Sequence, residues 1–592
     1  MKILGIHDGH NASAAIVVDG KLIVAKAEER LSRLKHHYGC PKLAIEKVLA
    51  IAGLRSSELD GVAMATPTLP PAYFYTSRNS KFSIEDYWLE QREYWYPKLY
   101  ENKSPNYMKI FKKHIDSDSF FYDESFINNE ADHEGMFAAR RKHLAGFLGV
   151  DEQIVSVHDH HDCHAAYGYI SCCRRSEKPV LVYTMDGGGD GVNGTVSIGM
   201  PGEPLQTLSR SKNCNIGRIY RYITLLLGMR PADHEYKLMG LAAYSSGEHA
   251  QKAYKIFADT LQVDGLGFKY KNEIKDHFFH FKKQLEGERF DAIAYGVQKY
   301  TEELLCEWIV NGMKETGIKD VVMSGGVAQN IKANKIIWEQ EGLESLFIPP
   351  GPGDESISVG AAFNEAVNRG LLIDQMQPLK NAYFAGTTSD RDVNEALHMA
   401  KNFGFKVEVS KANEIASLLA SGEAVARFGT EAAEFGARAL GSRSIIADPR
   451  HYNVIHHINK LIKMRDFWMP FAPSILEERA HDYLINPKNI DANFMAVGFD
   501  TTPLAHRHLT AGLHPFDKSA RPQIVRLSDN PAYHELIKAF EKLTGVGAVL
   551  NTSFNIHGEP IVETPCDAVD TFNRCGLSFL LLGRHLISKH SV

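Results

Sequence analysis

Two segments of the chain repeat one arrangement, and that repetition limits the fold more than any other feature of the sequence. An apolar run, Lys2–Ile6, leads into HDGHN and is followed by Ala14–Val18, an Asp19-Gly20 hairpin signal and Leu22–Ala25. About 180 residues later, from Asp8 to Asp186, the arrangement returns: Val180–Thr184, then MDGGGDG, then Gly194–Ile198. Strand, aspartate–glycine turn, strand, met twice, predicts a duplicated domain.

Turns of this kind hold phosphates from two sides in actin-like ATPase folds. Their glycines let backbone N–H groups approach an anion, and the aspartate handles a cation or an attacking group. A strand at Val321–Met323, the loop SGGVAQN and a helical run from Val327 to Trp338 add a third element. Gly325 and Gly326 there put bare backbone at a strand-to-helix switch, where nucleotides commonly bind. In IPPGPGDESISVGAAFNEAV, Asp354 opens a helix of small residues, a position at which aspartate often serves only as an N-cap.

Four of the 27 histidines fall within residues 158–164, His-Asp-His-His-Asp-Cys-His. His160 and His164 are four apart and share one helix face, the spacing with which two imidazoles grip one metal. A carboxylate such as Asp354 would complete a set suited to Fe(II), Mn or Zn.

Residues 67–126 change composition. Tyr73, Phe74, Tyr75, Tyr87, Trp88, Tyr94, Trp95, Tyr96, Tyr100 and Tyr107 mark an aromatic-rich insertion rather than a linker. The segment GLLIDQMQPLKNAYFAGTTSD lacks periodicity, which predicts domains at 1–375 and 385–592. The second reads as α/β, with helical segments at Glu414–Ser421, Arg465–Glu478 and Pro531–Leu543 and strands at Ala424–Phe428 and Ala548–Leu550. At 592 residues, with 66 Lys+Arg against 72 Asp+Glu, the chain has a formal charge of −6 and lacks the basic footprint of a nucleic-acid binder. No apolar run reaches the roughly 18–20 residues of a membrane span, and the opening residues do not read as a signal peptide. Eight cysteines without a CxxC pair support neither a disulfide scaffold nor a zinc ribbon. The expectation is a soluble, cytoplasmic protein that binds neither nucleic acid nor membrane, with oligomerisation left open.

Several longer motifs resemble one family. They are GIHDGHNASAAIVVDG, AEERLSRLKHHYG, HHDCHAAYGY, YKLMGLAAY, SGGVAQN, EFGARALGSRSIIADPR, MRDFWMPFAPSIL and NTSFNIHGEPIVETPCDA, spread from Ile3 to about Ala568. The chain is similar to the O-carbamoyltransferases of antibiotic, toxin and Nod-factor biosynthesis. The resemblance implies an α/β chain: an actin-like (ASKHA) duplicated ATPase-type domain, akin to the tRNA threonylcarbamoyl transferase, fused to a YrdC-like α/β domain. It implies that the carboxy-terminal domain makes carbamoyl-adenylate from carbamoyl phosphate and ATP, with Mg accompanying the ATP. The amino-terminal domain would then pass the carbamoyl group to a hydroxyl of a small-molecule acceptor, the intermediate travelling internally.

Residue by residue, the resemblance implies one iron, Fe(II), on His160, His164 and Asp354, with Asp186 near metal and adenylate phosphate. It implies an active-site pair in Asp8 and His10, with Lys35 lining the acceptor pocket. His10 is the side chain there best suited to take a hydroxyl proton, with Asp8 as its orienter or an acceptor contact. Lys237, Gly240, Gly325 and Gly326 should frame the nucleotide. Arg438, Arg443 and Arg450, with Lys463 and Arg465, resemble a basic cluster for phosphates, and Asn551, Ser553 and Asn555 supply neutral donors. Ala437 stands where the family more often has proline, Asn11 where some members carry aspartate, and the aromatic insertion has no counterpart in the pattern. Competing readings are an actin-like small-molecule kinase, a tRNA-modifying protein and a plain metallohydrolase.

Overall fold

The computed structural model describes residues 1–115 and 120–589. Residues 116–119 of the expected insertion and the last three residues of the chain lie outside the described residues. Two compact units divide the chain, Met1–Leu379 and Lys380–Val592.

The first unit contains two five-stranded sheets of one design. In the first sheet the strands are β1 (Lys2–His7), β2 (Ser13–Val18), β3 (Lys21–Ala27), β4 (Gly61–Ala65) and β5 (Val155–His158), in the order β3-β2-β1-β4-β5. In the second they are β6 (Val180–Gly189), β7 (Val192–Gly199) and β8 (Gln206–Ser211). After a separate hairpin, β9 (Leu261–Asp264) and β10 (Gly267–Tyr270), come β11 (Asp320–Ser324) and β12 (Ser345–Phe347), giving the order β12-β11-β6-β7-β8. Each sheet has three antiparallel strands in sequence, and its first strand then pairs in parallel with the fourth, and the fourth with the fifth. This is the duplicated actin-like ATPase-type topology that the repeated turns predict. The parallel strands β4 and β11 are buried along their whole length, as strands covered on both faces must be.

After its fifth strand each half sends a helix back: His160–Ser171 in the first half and Ile357–Asn368 in the second, packed against each other. Small residues allow the contact, since a Cβ on Gly360 would overlap the Cys163 carbonyl oxygen. The run expected to be helical from Val327 breaks at Asn330. A 3-10 turn, Gly326–Gln329, precedes the helix Ile331–Trp338, and Asn330 caps that helix with its side chain.

The aromatic insertion shares a core with residues of the helices Ile216–Leu226 and His277–Gln284. Phe82, Tyr87, Tyr94, Tyr107 and Phe111 are buried together with Leu225 and Phe278, and Trp88 and Trp95 pack on them half-buried. The dense aromatics are therefore mostly structural.

The second unit carries an eight-stranded mixed sheet. Its strands are β13 (Lys406–Val409), β14 (Val425–Phe428), β15 (Arg443–Ala447), β16 (Ala472–Leu476), and, after a small ladder of β17 (Leu484–Ile485) with β18 (Asp500–Thr501), β19 (Gln523–Val525), β20 (Ala548–Ser553), β21 (Phe579–Leu582) and β22 (His585–Ser588). The order is β13-β22-β21-β14-β15-β20-β16-β19. The expected helix at Arg465–Glu478 is instead a loop entering β16. Pro470 and Pro473 remove backbone donors and bias the residues before them to extended backbone, so a helix cannot run through.

Candidate functional site

The helix His160–Ser171, the end of β6 and the turn before the helix Ile357–Asn368 bring four side chains together. His160, His164, Asp186 and Asp354 offer ligand atoms that all lie within 4.8 Å of one another. His164 Nε2 is 3.5 Å from Asp354 Oδ1 and 3.6 Å from Asp186 Oδ2, and His160 Nε2 is 3.8 Å from Asp354 Oδ1. Asp159 caps the helix that carries both histidines, and Asp190 accepts the His160 backbone N–H at 2.8 Å. Thr66 Oγ1 lies 3.0 Å from His160 Nδ1, leaving Nε2 toward the carboxylates. Asp354 makes no capping bond to its helix, so the N-cap role is not what holds it. Asp186 accepts the Gly326 N–H at 2.7 Å. Gly325 precedes that donor at φ +98°, and a Cβ there would overlap the Met185 carbonyl.

Three imidazole nitrogens of this cluster, His160 Nε2 and both of His164, are buried without a hydrogen-bond partner. Orphaned buried acceptors beside two carboxylates are the donor set of a divalent ion. Burial lowers the His164 pKa to about 4, against the raising effect of Asp186 and Asp159, so its ring is neutral and able to ligate. Burial first, and then the Asp186 charge, push Asp354 up to about 7. Burial would raise Asp186 too, but His164 and His160 outweigh it and hold that carboxylate below its ordinary value. The residues present fit a divalent metal. The other two histidines of the run have structural partners: His158 pairs with Glu365 at 3.1 Å, and His161 lies against Thr184 Oγ1 and the Val192 carbonyl.

Asp8, the counterpart of Asp186 in the first half, is engaged differently. Arg140, fully buried, meets both its oxygens at 2.9 and 2.5 Å and also reaches the Thr66 and Pro67 carbonyls. The side chain that holds the His10 ring is not Asp8 but Asn79, whose Nδ2 is 2.6 Å from His10 Nδ1. Burial, then His36, Arg221, His7 and Arg78, hold the His10 pKa well below its ordinary value. Lys35 donates to Asp233 at 2.7 Å, and His36 Nε2 lies 3.2 Å from the same oxygen. That pairing with Asp233, opposed by burial, keeps Lys35 above its usual value. Arg221 has a buried NH2 without a hydrogen-bond partner, although its charge is felt at both His10 and Asp354. Lys237 and Gly240 lie buried on the helix Glu235–Ala242, which packs on the long helix Phe290–Thr316.

In the second unit Lys463 Nζ donates to Asn555 Oδ1 at 2.6 Å and to Ser553 Oγ at 3.1 Å, and Arg465 donates to Thr552 Oγ1 at 3.0 Å. Burial and the charges of Arg438 and Arg465 drive the Arg521 pKa well down, which brings three guanidiniums into one neighbourhood. Such a group of like charges suits an oxyanion. Arg443 stands apart from the phosphate role given to it by resemblance. It is 1% exposed, donates to the carbonyls of Gly429 and Ser442, and lies 3.5 Å over the Phe428 ring. Arg450 is forked onto Asp448, and Asn551 donates to Ser474 Oγ and the Ala439 carbonyl inside the sheet.

Sequence reasoning did not find Thr66, Asn79, Arg140, Arg221, Asp233 or Arg521. Asp233, four residues before Lys237 in ADHEYKLMG, was within reach of motif reading. Asn79 and Arg140 carry no local signal.

Comparison with known proteins gives a consistent result. Residues 2–363 match the family model described as carbamoyltransferase N-terminus, and residues 416–589 the one described as carbamoyltransferase C-terminus. An uncharacterized protein of Methanocaldococcus jannaschii, MJ1058, is 33% identical over 459 residues, covering 74% of each chain. The nodulation protein NolNO of Sinorhizobium fredii is 29% identical over 595 residues, 98% of this chain and 79% of that one. Among solved structures, component A of the Acidaminococcus fermentans (R)-2-hydroxyglutaryl-CoA dehydratase is 14% identical with a TM-score of 0.31, over 62% of this chain and 97% of that one.

Proposed function

The chain belongs to the carbamoyltransferase family and is a transferase enzyme, and from that premise we propose that it is an O-carbamoyltransferase working in two steps. In the second unit, water hydrolyses carbamoyl phosphate to carbamate and phosphate, and the carbamate attacks the α-phosphate of ATP, accompanied by Mg. Carbamoyl-adenylate forms and pyrophosphate leaves. In the first unit a hydroxyl of a small-molecule acceptor takes the carbamoyl group and AMP departs. Both co-substrates are cytoplasmic metabolites, which supports a cytoplasmic enzyme.

The observation that carries this reading is the cluster His160, His164, Asp186 and Asp354, built by equivalent elements of the two halves. These four would hold Fe(II), which when bound supplies a Lewis acid beside the leaving phosphate. Gly325 and Gly326 present backbone to the adenylate, and Gly326 steadies Asp186. Arg221 offers its unpaired guanidinium nitrogen to a substrate oxyanion. Lys35 and Asp233 line the acceptor's approach as a joined pair, able to donate to and accept from sugar-like hydroxyls. In the second unit Arg438, Arg465 and Arg521, with Lys463, bind phosphate oxygens, and Asn555 and Ser553 hold the Lys463 ammonium in place.

Incubation with ATP and carbamoyl phosphate tests the reading. Pyrophosphate dependent on carbamoyl phosphate is expected, followed by AMP. Formation of ADP with a phosphorylated acceptor, independent of carbamoyl phosphate, would make the chain a kinase and end the proposal.

A further inference from the structure

His10 has one ring nitrogen held by a neighbouring side chain, and that contact decides what the other nitrogen can do. Asn79 Nδ2 stands 2.6 Å from His10 Nδ1. The amide cannot turn to present its oxygen instead, because Arg78 NH1 donates to Asn79 Oδ1 at 3.4 Å and a turned amide would set N–H against N–H. Arg78 is itself fixed: its Nε and NH2 fork onto Glu90 at 2.8 and 2.5 Å, and Tyr107 donates to Glu90 at 3.0 Å. Arg78 and Asn79 are each 7% exposed, and Glu90 is fully buried. The backbone is held as well, with Arg230 donating to the Asn79 and Ser80 carbonyls and His7 donating to the His10 carbonyl at 2.8 Å.

A ring whose Nδ1 accepts a hydrogen bond keeps its proton on Nε2 when neutral. We infer that His10 serves carbamoyl transfer as a neutral hydrogen-bond donor, its proton held on Nε2 by the Glu90–Arg78–Asn79 relay, and does not take the acceptor's proton, which leaves on the AMP phosphate as the acceptor oxygen bonds to the carbamoyl carbon and the bond from that carbon to AMP breaks. This rests on reading the first unit as the transfer site. The Nε2–H is then aimed at the carbamoyl oxygen, where negative charge develops as the hydroxyl adds, and a preorganised neutral imidazole stabilises that charge without having to ionise. The groups whose charge acts most strongly on His10 are His36, with ring centroids 5.2 Å apart, His7, Arg78 and Arg221. The group bonded to Nδ1 is the Asn79 amide and not a carboxylate. Asn79 and Arg78 are in this sense positioning residues.

The proton can be located directly. In protein labelled with ¹⁵N-histidine, long-range ¹H–¹⁵N correlation should show His10 unprotonated at Nδ1 and protonated at Nε2, with the signal assigned by its loss in His10→Gln. A protonated Nδ1 would overturn the inference. Transfer is followed with synthetic carbamoyl-adenylate and glycerol as the hydroxyl, reading AMP and carbamoylated glycerol. His10→Ala should lose about 100- to 1000-fold, the usual effect of deleting one such donor. His10→Gln, whose amide nitrogen reaches the place of Nε2, should recover to within about tenfold of wild type. Asn79→Asp gives opposite signs for the two roles. The aspartate draws a proton onto Nδ1, so Nε2 keeps its own proton only while the ring is an imidazolium. A donor role makes transfer in this variant fall as pH rises through the His10 pKa, and a rise there, or a His10→Gln enzyme as inactive as His10→Ala, would refute it. If His10→Ala and His164→Ala both transfer at the wild-type rate, the transfer-site reading fails, and the nitrogen spectrum still judges the placement of the proton.

Discussion

Gly360→Ala is a small change where the helix that follows Asp354 meets the helix that carries His160 and His164. Alanine is the better helix former by about 1 kcal/mol, so in an open helix the substitution would stabilise. Here the new methyl would overlap the Cys163 carbonyl oxygen, which is backbone and cannot rotate away. The helices must separate by roughly 1 Å before the contact becomes ordinary, and such overpacking costs about 1–3 kcal/mol. The two effects nearly cancel in stability, leaving a net loss of about 0–2 kcal/mol. In a unit of 379 residues that is only about 0–2.5 °C in Tm. Metal binding has no such offset. Cys163 lies next to His164, and Gly360 six residues from Asp354, so the same displacement moves ligands that must stay within about 0.2 Å of their proper distances. Iron affinity, titrated anaerobically on the apoprotein, is expected to drop about 10- to 100-fold. Gly146→Ala is the control, since its methyl meets nothing within 4 Å; it should gain up to about 1 kcal/mol and bind metal normally. If Gly360→Ala behaves like Gly146→Ala in both assays, the helix contact does not set the metal geometry.

Other substitutions test separate parts of the molecule. His164→Ala and Asp186→Asn should each abolish bound metal in a folded protein, and unchanged stoichiometry by elemental analysis would remove that residue from the site. Arg521→Ala should slow pyrophosphate formation about 30- to 1000-fold, from about 2–4 kcal/mol of lost phosphate contact. Transfer from supplied carbamoyl-adenylate should be unaffected, and equal losses in both assays would contradict the two-site division. Arg140→Ala leaves Asp8 buried without its partner and should cost about 3–5 kcal/mol by chemical denaturation; a change under 1 kcal/mol would show that the pair is not needed. Burial raises Glu28 to about 7, opposed by the Ala44 and Leu43 N–H groups. The folded state therefore holds a proton that the unfolded chain releases near pH 4.3, so stability should decline between about pH 4.5 and 7. Glu28→Gln should remove that part of the slope, seen as a difference between the two stability–pH curves.

The repeated hairpins were legible because their signal is local: alternating apolar residues and an aspartate–glycine turn define strand pairs without help from the rest of the chain. His160 and His164 were legible for the same reason, one helix turn apart. Partners distant in sequence were not. Asn79 meets His10 across 69 residues and Arg140 meets Asp8 across 132, and neither pairing leaves a mark in either neighbourhood. Arg443 shows a different limit. An arginine among glycines and serines reads as a phosphate ligand, but the sequence does not show that its NH1 is buried on the Gly429 and Ser442 carbonyls. The aromatic insertion was read by composition, and composition cannot tell a shared core from a substrate wall. The buried Phe82, Tyr87 and Tyr107 belong to a core, while the polar Arg78 and Asn79 reach the site.

The two halves amount to a paired comparison with one variable changed. The backbone offers the same aspartate on the same turn twice; a buried arginine claims it on one side, and two imidazoles face it on the other. A cation wandering into the cleft meets a cancelled charge at Asp8 and an open one at Asp186, so the duplicated scaffold keeps its symmetry of shape while surrendering its symmetry of sign. Exchanging those two neighbourhoods, rather than altering any strand, would reverse which aspartate has its charge answered by a guanidinium.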